Sequence, residues 1–82
     1  MNITRPIYQI AADIKTEWSK IGKGVNFAAK PYLAAMMHLN KITDHYMFDS
    51  ADSIVRYFLC NASSFRGNRS KELKAELKAL LK

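Results

Sequence analysis

Hydrophobic positions recur at a helical period along most of the 82-residue chain, and strand-like alternation never persists for more than a few residues. From about Pro6 to Ile21, isoleucines, Ala11 and Trp18 fall within a stripe of about 100° on a helical wheel. Proline suits the first helical turn, and Thr4 is a candidate N-cap. The spacing predicts a first helix over residues 6–21, which the Gly-Lys-Gly turn that follows would end.

A second helix is predicted to end near Ile42, and two starts are compatible with the pattern. Either Asn26 caps a turn that leads into the helix, or Pro31 is its first helical residue. A loop from Thr43 to Asp49 is predicted to follow, because polar residues interrupt the period there.

Two more helices are predicted in the second half of the chain. Asp49 or Ser50 would cap a third helix that ends near Ser64. Ser70 would cap a fourth helix over Lys71–Lys82, with its leucines facing inward. The connections are short, which favours neighbouring antiparallel helices in a compact bundle.

Length and composition limit the architecture and the kind of function. The chain is predicted to form one domain, residues 1–82, with an all-α fold of about four helices. Its small core does not favour an enclosed active site. No secretory signal and no bilayer-spanning apolar run is recognisable. The single cysteine, Cys60, favours a reducing compartment, so we expect a cytoplasmic protein.

Charge is concentrated toward the C-terminus of this +6 chain. The lysines of the predicted fourth helix share a stripe of roughly 80°. A one-sided basic row is the electrostatic pattern of phosphate binding. It is also typical of a solvated terminal helix, whose lysines interact favourably with the helix dipole. The first candidates for nucleic-acid or partner binding are Arg66, Arg69, Lys71, Lys74 and Lys78.

A second basic group surrounds the turn Gly22-Lys23-Gly24. Consecutive amides in a glycine turn can form an anion-binding concavity, although a plain flexible turn has the same composition. Lys20, Lys23 and Lys30 are therefore second candidates, and Lys15 lies in the same group.

Catalytic and metal-binding chemistry is not indicated. The residues that most resemble metal ligands are His38, Asp44, His45 and Asp49, and their spacing matches no zinc or calcium pattern. Hydrogen bonding and capping are their expected roles. Cys60 lies beside the apolar stripe of the third predicted helix, so we expect a packed thiol rather than a nucleophile. We predict no enzymatic activity, no metal site and no cofactor.

Aromatic residues divide into two groups. Those at core spacing are Trp18, Phe27, Tyr32, Phe58 and Phe65. Tyr8 and Tyr57 instead lie off the main apolar stripes of their helices. Tyrosine is favoured at interfaces, so both are candidates for partner contact, and packing against a neighbouring helix is the alternative.

Five segments together resemble a group of small proteins carried by phages and mobile elements of Firmicutes. They are IYQIA (7–11), AKPYLxAM (29–36, with position 34 open), DSIVRYFLCNA (52–62), FRG (65–67) and KAELK (74–78). The resemblance covers nearly the whole chain, contains no catalytic motif and assigns no functional residue. Small mobile-element proteins often inhibit or redirect host machinery, including CRISPR effectors, and the resemblance implies this setting by analogy.

These observations favour a non-enzymatic mobile-element protein that binds a host protein or nucleoprotein complex, as an anti-CRISPR or other anti-defence inhibitor. Its basic face would contact nucleic acid or an acidic protein surface, and its net charge argues against mimicry of DNA. One alternative is a DNA- or RNA-binding accessory or regulatory protein, although the connection between the second and third helices is long for a helix-turn-helix. Another is a homodimeric protein-interaction module that uses Tyr8, Tyr57 and the leucine face of the last helix.

Overall fold

Residues 5–81 are described by the structure, a computed structural model, and they form four helices and a short hairpin. In chain order the elements are α1 (Ile7–Trp18), α2 (Lys30–Met36), β1 (His45–Tyr46), β2 (Asp49–Ser50), α3 (Ala51–Cys60) and α4 (Asn68–Leu80). The strands pair antiparallel, with residue 45 opposite 50 and 46 opposite 49. The described chain is therefore mostly helical, and the prediction of a purely all-α fold is wrong in this one element.

The hairpin lies in the segment predicted as a loop. Each strand has only two residues, too few to produce an alternating pattern. Asp44 anchors its base, because its carboxylate accepts the amides of Lys41 and Asn40 at 2.9 and 3.1 Å. Its carbonyl also accepts the amide of Ala51 at 2.8 Å. The amides of Lys41 and Asn40 hold the pKa of the Asp44 carboxyl below its usual range.

The start of α1 is capped from a distant part of the chain. The amides of Ile7 and Tyr8 donate to the carbonyls of Asn40 and Leu39 at 2.9 and 2.8 Å. The first amides of a helix have no partner within it, so the 39–40 segment satisfies two of them. Thr4, which the sequence predicts as the N-cap of this helix, lies outside the described residues.

The first two helices are shorter than predicted. α1 ends at Trp18, and the chain continues to Ile21 in tighter i→i+3 turns, which are common at helix ends. α2 covers only Lys30–Met36. The side chain of Asn26 accepts the amide of Ala28 at 3.4 Å, so Asn26 caps a turn before α2, as in the first of the two predicted starts.

One of the two predicted caps in the second half is confirmed. Ser50 caps α3, and its hydroxyl accepts the amide of Ser53 at 3.4 Å. α4 instead begins at Asn68, so the cap predicted at Ser70 is wrong. The Ser70 hydroxyl is buried and donates to the carbonyl of Gly67 at 2.7 Å. Gly67 has a φ of 119°, a conformation that glycine adopts without steric cost. This residue redirects the chain at the start of α4.

The core is one cluster centred on Trp18. Its indole stacks on Phe65 with centroids 5.0 Å apart and meets Phe58 edge-on at 6.1 Å. Such pairs add about 0.5–1.5 kcal/mol beyond the burial of their area. Around them lie the other large, fully buried apolar side chains, Ile7, Ile10, Ile14, Met36, Leu39, Val55, Leu73 and Leu77. α1, α3 and the segment before α4 are thus joined through one indole ring.

A network of ion pairs joins α1 to α4 at the surface. Arg5 donates to both carboxylate oxygens of Glu76, at 2.6 and 2.9 Å, and to Asp13 at 2.7 Å. Arg69 bridges Asp13 at 3.2 Å and Glu72 at 3.1 Å. The hydrogen bonds from Glu76 and then Asp13 raise the pKa of Arg5 above its ordinary value.

We expect the bidentate pair of Arg5 and Glu76 to stabilise the fold by about 1 kcal/mol, because solvent screens side chains that are roughly a third exposed. A double-mutant cycle with Arg5→Met and Glu76→Gln would measure it, by urea unfolding followed through Trp18 fluorescence. The matched control is the looser pair of Lys20 and Glu17, at 3.5 Å, where no measurable coupling is expected. Equal coupling in both cycles would contradict the assigned role of Arg5.

Candidate nucleic-acid interface

Four cations lie along α4 and the turn before it, and we call them the α4 basic face: Arg66, Lys71, Lys74 and Lys78. The three lysines follow the i, i+3, i+7 spacing that places side chains on one side of a helix. Arg66, Lys71 and Lys78 are exposed and Lys74 is half-buried. Within residues 5–81, none of the four pairs with a carboxylate.

Lys74 is the most confined member of the α4 basic face. Its Nζ lies 5.8 Å from the centroid of the Phe65 ring, within the range of a cation–π contact. Burial lowers the pKa of Lys74, and the positive charges of Lys78 and Arg66 lower it further. These three cations therefore share one local field, and a bound anion would relieve their mutual repulsion.

Arg69 was also predicted to bind a partner, but its surroundings differ from those of the α4 basic face. Its guanidinium pairs with Asp13 of α1 and with Glu72 of its own helix. Replacing Arg69 would therefore disturb the contact between α1 and α4 as well as the surface charge. Among residues 5–81, by comparison, Arg66 donates only from Nε to the carbonyl of Ser63, at 3.3 Å.

The lysines of the second basic group, Lys15, Lys20, Lys23 and Lys30, do not form one surface. Lys20 pairs loosely with Glu17 at 3.5 Å. Lys23 is exposed between two glycines with positive φ, and it lines a groove beside that turn. Lys30 and Lys15 line a different, apolar groove next to α2. The structure therefore divides the group into separate surfaces.

The groove beside the glycine turn has a volume of about 490 Å³, and we call it the Phe27 groove. Its lining includes the apolar residues Trp18 and Ile21, together with Lys23, Phe27 and Ser64. Ser64 belongs to the segment that connects α3 to α4. The groove thus lies between the loop after α1 and the connection that leads to the α4 basic face.

Phe27 corrects one of the aromatic predictions. It was expected in the core, but 86% of its surface is exposed. The residue follows a glycine turn and Asn26, and it precedes α2 rather than belonging to it. Its position in a stretch without a sustained helical period is the signal that could have identified it as a loop residue.

The candidate tyrosines are both partly exposed. Tyr8 on α1 is 46% exposed and Tyr57 on α3 is 56% exposed. The ring of Tyr57 also stacks on Tyr32 with centroids 5.6 Å apart, so one of its faces is covered by the chain itself. The predicted interface therefore stays a prediction for both residues.

Two exposed residues at the hairpin tip escaped the sequence prediction. Met47 and Phe48 join the two strands and are 81% and 102% exposed. Met47 has a φ of 58°, which is uncommon for a residue other than glycine. A turn of this kind usually contains Asn or Gly, and neither is present to mark it in the sequence.

Two of the four residues that resemble metal ligands have other contacts. Asp44 caps the hairpin base, and the ring of His38 stacks on Tyr46 at 5.4 Å. Among residues 5–81, no three His, Cys, Asp or Glu side chains are placed to hold a metal ion. Cys60 is exposed, so the prediction of a packed thiol is wrong. It lies beside the buried stripe of α3 rather than on it.

Comparison with known proteins adds no relative. No family model matches the chain, and neither a curated protein nor a solved structure matches it. No helix in the described part of the chain is long and apolar enough to cross a membrane.

We expect Lys78→Gln to raise the pKa of Lys74, because it removes a neighbouring positive charge. The pKa should remain below that of an exposed lysine, since burial is the main cause of the shift. NMR titration of the Lys74 ammonium group would measure the change. Lys41→Gln is the control, because Lys41 is exposed and is not among the groups that shift Lys74. An unchanged pKa in Lys78→Gln would show that the cations do not share a field.

Proposed function

We propose that this protein is a non-enzymatic mobile-element protein that binds a nucleoprotein complex of its bacterial host through the α4 basic face. In its most specific form, it is an anti-CRISPR or other anti-defence inhibitor that acts in the host cytoplasm. The resemblance to small phage and mobile-element proteins supports the setting. The exposed cations of α4 support the contact with the nucleic acid of the complex.

The main support for the proposal is that, in the part of the chain that the structure describes, most carboxylates are paired within the chain, whereas the cations of the α4 basic face are not. Six carboxylates accept hydrogen bonds or ion pairs from the chain itself: Asp13, Glu17, Asp44, Asp52, Glu72 and Glu76. The positive charge of the α4 basic face is left without an internal counterpart in residues 5–81. A nucleic-acid backbone offers closely spaced anions, and neutralising them releases bound counterions.

This mode of contact favours recognition of backbone over sequence. Lysine and arginine contacts to phosphates fix position and orientation but do not read bases. A recognition helix would be needed for sequence-specific duplex binding, and a long segment, residues 37–50, separates α2 from α3. We therefore favour a nucleoprotein partner over an independent regulator of transcription.

Charge reversal on the α4 basic face should remove this binding. The test variant is Arg66→Glu/Lys71→Glu/Lys78→Glu, which spares Arg69 and Lys74 because both contact other parts of the fold. The matched control is Lys15→Glu/Lys41→Glu/Arg56→Glu, which changes net charge equally at exposed positions outside this face. Fluorescence anisotropy with a labelled oligonucleotide should show at least a tenfold loss for the first variant only.

The salt dependence of binding provides the second readout. Each lost phosphate contact should reduce the slope of log affinity against log salt by about 1. Equal affinity and equal slope in the two folded variants would contradict the proposal. A tagged pull-down from host lysate, with and without nuclease, separates the alternatives. A single protein retained after digestion supports an inhibitor, whereas nucleic acid alone supports an accessory DNA- or RNA-binding protein.

The hairpin tip supports a second candidate function, a homodimeric interaction module. Met47 and Phe48 leave a large apolar surface in solvent, which is typical of protein interaction sites. Beside the tip lies a groove of about 250 Å³ lined by Tyr32, Tyr46 and Tyr57, among others. In a two-fold dimer, each tip would enter the groove of the other copy.

The other surfaces predicted for a dimer contribute less. Leu73 and Leu77 of α4 are buried within the chain, so the centre of the leucine face is not free for a second copy. Tyr57 lines the 250 Å³ groove, while Tyr8 is not part of its lining.

Sedimentation equilibrium would test this candidate directly. We expect concentration-dependent dimers that Phe48→Ser dissociates, because the substitution removes the apolar tip. Phe27→Ser is the control, since it removes another largely exposed ring from a different surface. A strictly monomeric wild-type protein at high concentration would exclude the homodimer.

A further inference from the structure

The lining of the Phe27 groove includes residues of the glycine turn and of the connection between α3 and α4. Lys23 lines it directly, and so does Ser64. Arg66 follows Ser64 by two residues, and its Nε donates to the carbonyl of Ser63 at 3.3 Å. The groove therefore has a cation in its lining and another beside the segment that contains Ser64.

Hydrogen bonds hold the loop that presents Phe27. The side-chain amide of Asn26 donates to the carbonyl of Asn61 at 3.3 Å, which ties the loop to the end of α3. The oxygen of the same side chain accepts the amide of Ala28 at 3.4 Å. Phe27 is thus held between two anchored neighbours with most of its ring in solvent. An exposed ring gains nothing from the protein's own core, so its apolar surface is available to a ligand.

An exposed aromatic ring beside cations has the chemistry that binds single-stranded nucleic acid. In such sites, bases stack on aromatic side chains while basic residues follow the phosphate backbone. A duplex presents its phosphates outward but keeps the faces of its bases stacked inside. An unpaired base can place its π-face against Phe27 without the cost of unstacking a duplex.

We propose that the Phe27 groove binds an unpaired nucleobase stacked on Phe27, while Lys23 and Arg66 contact the flanking phosphates. This inference rests on the proposed function and narrows its ligand to a single-stranded segment of the nucleic acid in the host complex. The α4 basic face then continues the phosphate contacts from Arg66 along the helix.

The geometry also provides a built-in reporter. Trp18 is the only tryptophan in the chain, and it lines the Phe27 groove while its indole is otherwise buried. A base that enters the groove would approach this indole, so its fluorescence should change on binding. A strand bound only along α4 would not enter the groove and should leave the signal unchanged.

Three labelled probes of equal length separate base stacking from phosphate binding. The first is a single strand of about 12 nucleotides, within the range bound by single-strand-binding folds. The second is the same backbone with abasic sites in place of the bases. The third is a duplex of that sequence. Affinities are measured by anisotropy and Trp18 fluorescence is recorded in the same titrations.

We expect the wild-type protein to prefer the normal single strand to the abasic strand and to the duplex. Phe27→Ala should weaken single-strand binding by about 5- to 150-fold, the range expected for loss of one base–aromatic stack. It should leave affinity for the abasic strand and the duplex unchanged. The matched control is Met37→Ala, which removes an exposed apolar side chain from the lining of a different groove and should change none of the three affinities.

Failure of this inference can be distinguished from failure of the proposed function. If Phe27→Ala binds all probes like the wild type, while charge reversal on α4 abolishes binding, the groove proposal is wrong and the proposed function stands. If no probe binds, or charge reversal has no effect, both are wrong. Matching thermal unfolding of wild type and Phe27→Ala would show that the comparison reports on binding.

Discussion

The stack of Trp18 on Phe65 is the contact on which the remaining structure depends. It joins α1 to the segment before α4, and the edge contact with Phe58 adds α3 to the same cluster. A chain of this size has one small core, so the loss of a central indole would leave little else to hold the helices together. The same two rings also border the candidate site. Trp18 lines the Phe27 groove, and the ring of Phe65 lies under the ammonium group of Lys74.

The distribution of surface charge in this fold depends on which carboxylates form ion pairs or hydrogen bonds within the chain. Arg5 and Arg69 draw Asp13 and Glu76 into a network between α1 and α4, and the hairpin base uses Asp44. Each exposed ion pair contributes little to the free energy of unfolding. The main effect of the network is therefore on the distribution of charge over the surface. The network neutralises charge where α1 and α4 meet. The unpaired positive charge therefore lies on other surfaces of the described chain, among them the α4 basic face.

Sequence periodicity predicted the elements that bury a continuous stripe and failed where local hydrogen bonds decide the structure. The helices around Trp18 and Leu73 were predictable because apolar residues recur at 3.6-residue spacing. The hairpin was not, since its strands are two residues long and Asp44 holds its base through backbone amides. The basic residues were visible in composition. Their separation into paired Arg69 and unpaired cations was not, because it depends on contacts between distant parts of the chain.

Phe27 is exposed because it is not part of the aromatic core. Trp18, Phe58 and Phe65 pack against one another in the core, whereas Phe27 lies outside it. The loop that carries it is anchored through Asn26, and a side chain held in its binding position loses less entropy when a ligand arrives. A small domain without room for an enclosed cavity can still bind strongly by this means, with a fixed ring for stacking and cations for the backbone. In the proposed complex, binding and folding share Trp18 but separate at Phe27, where substitution would remove the ligand contact without opening the core.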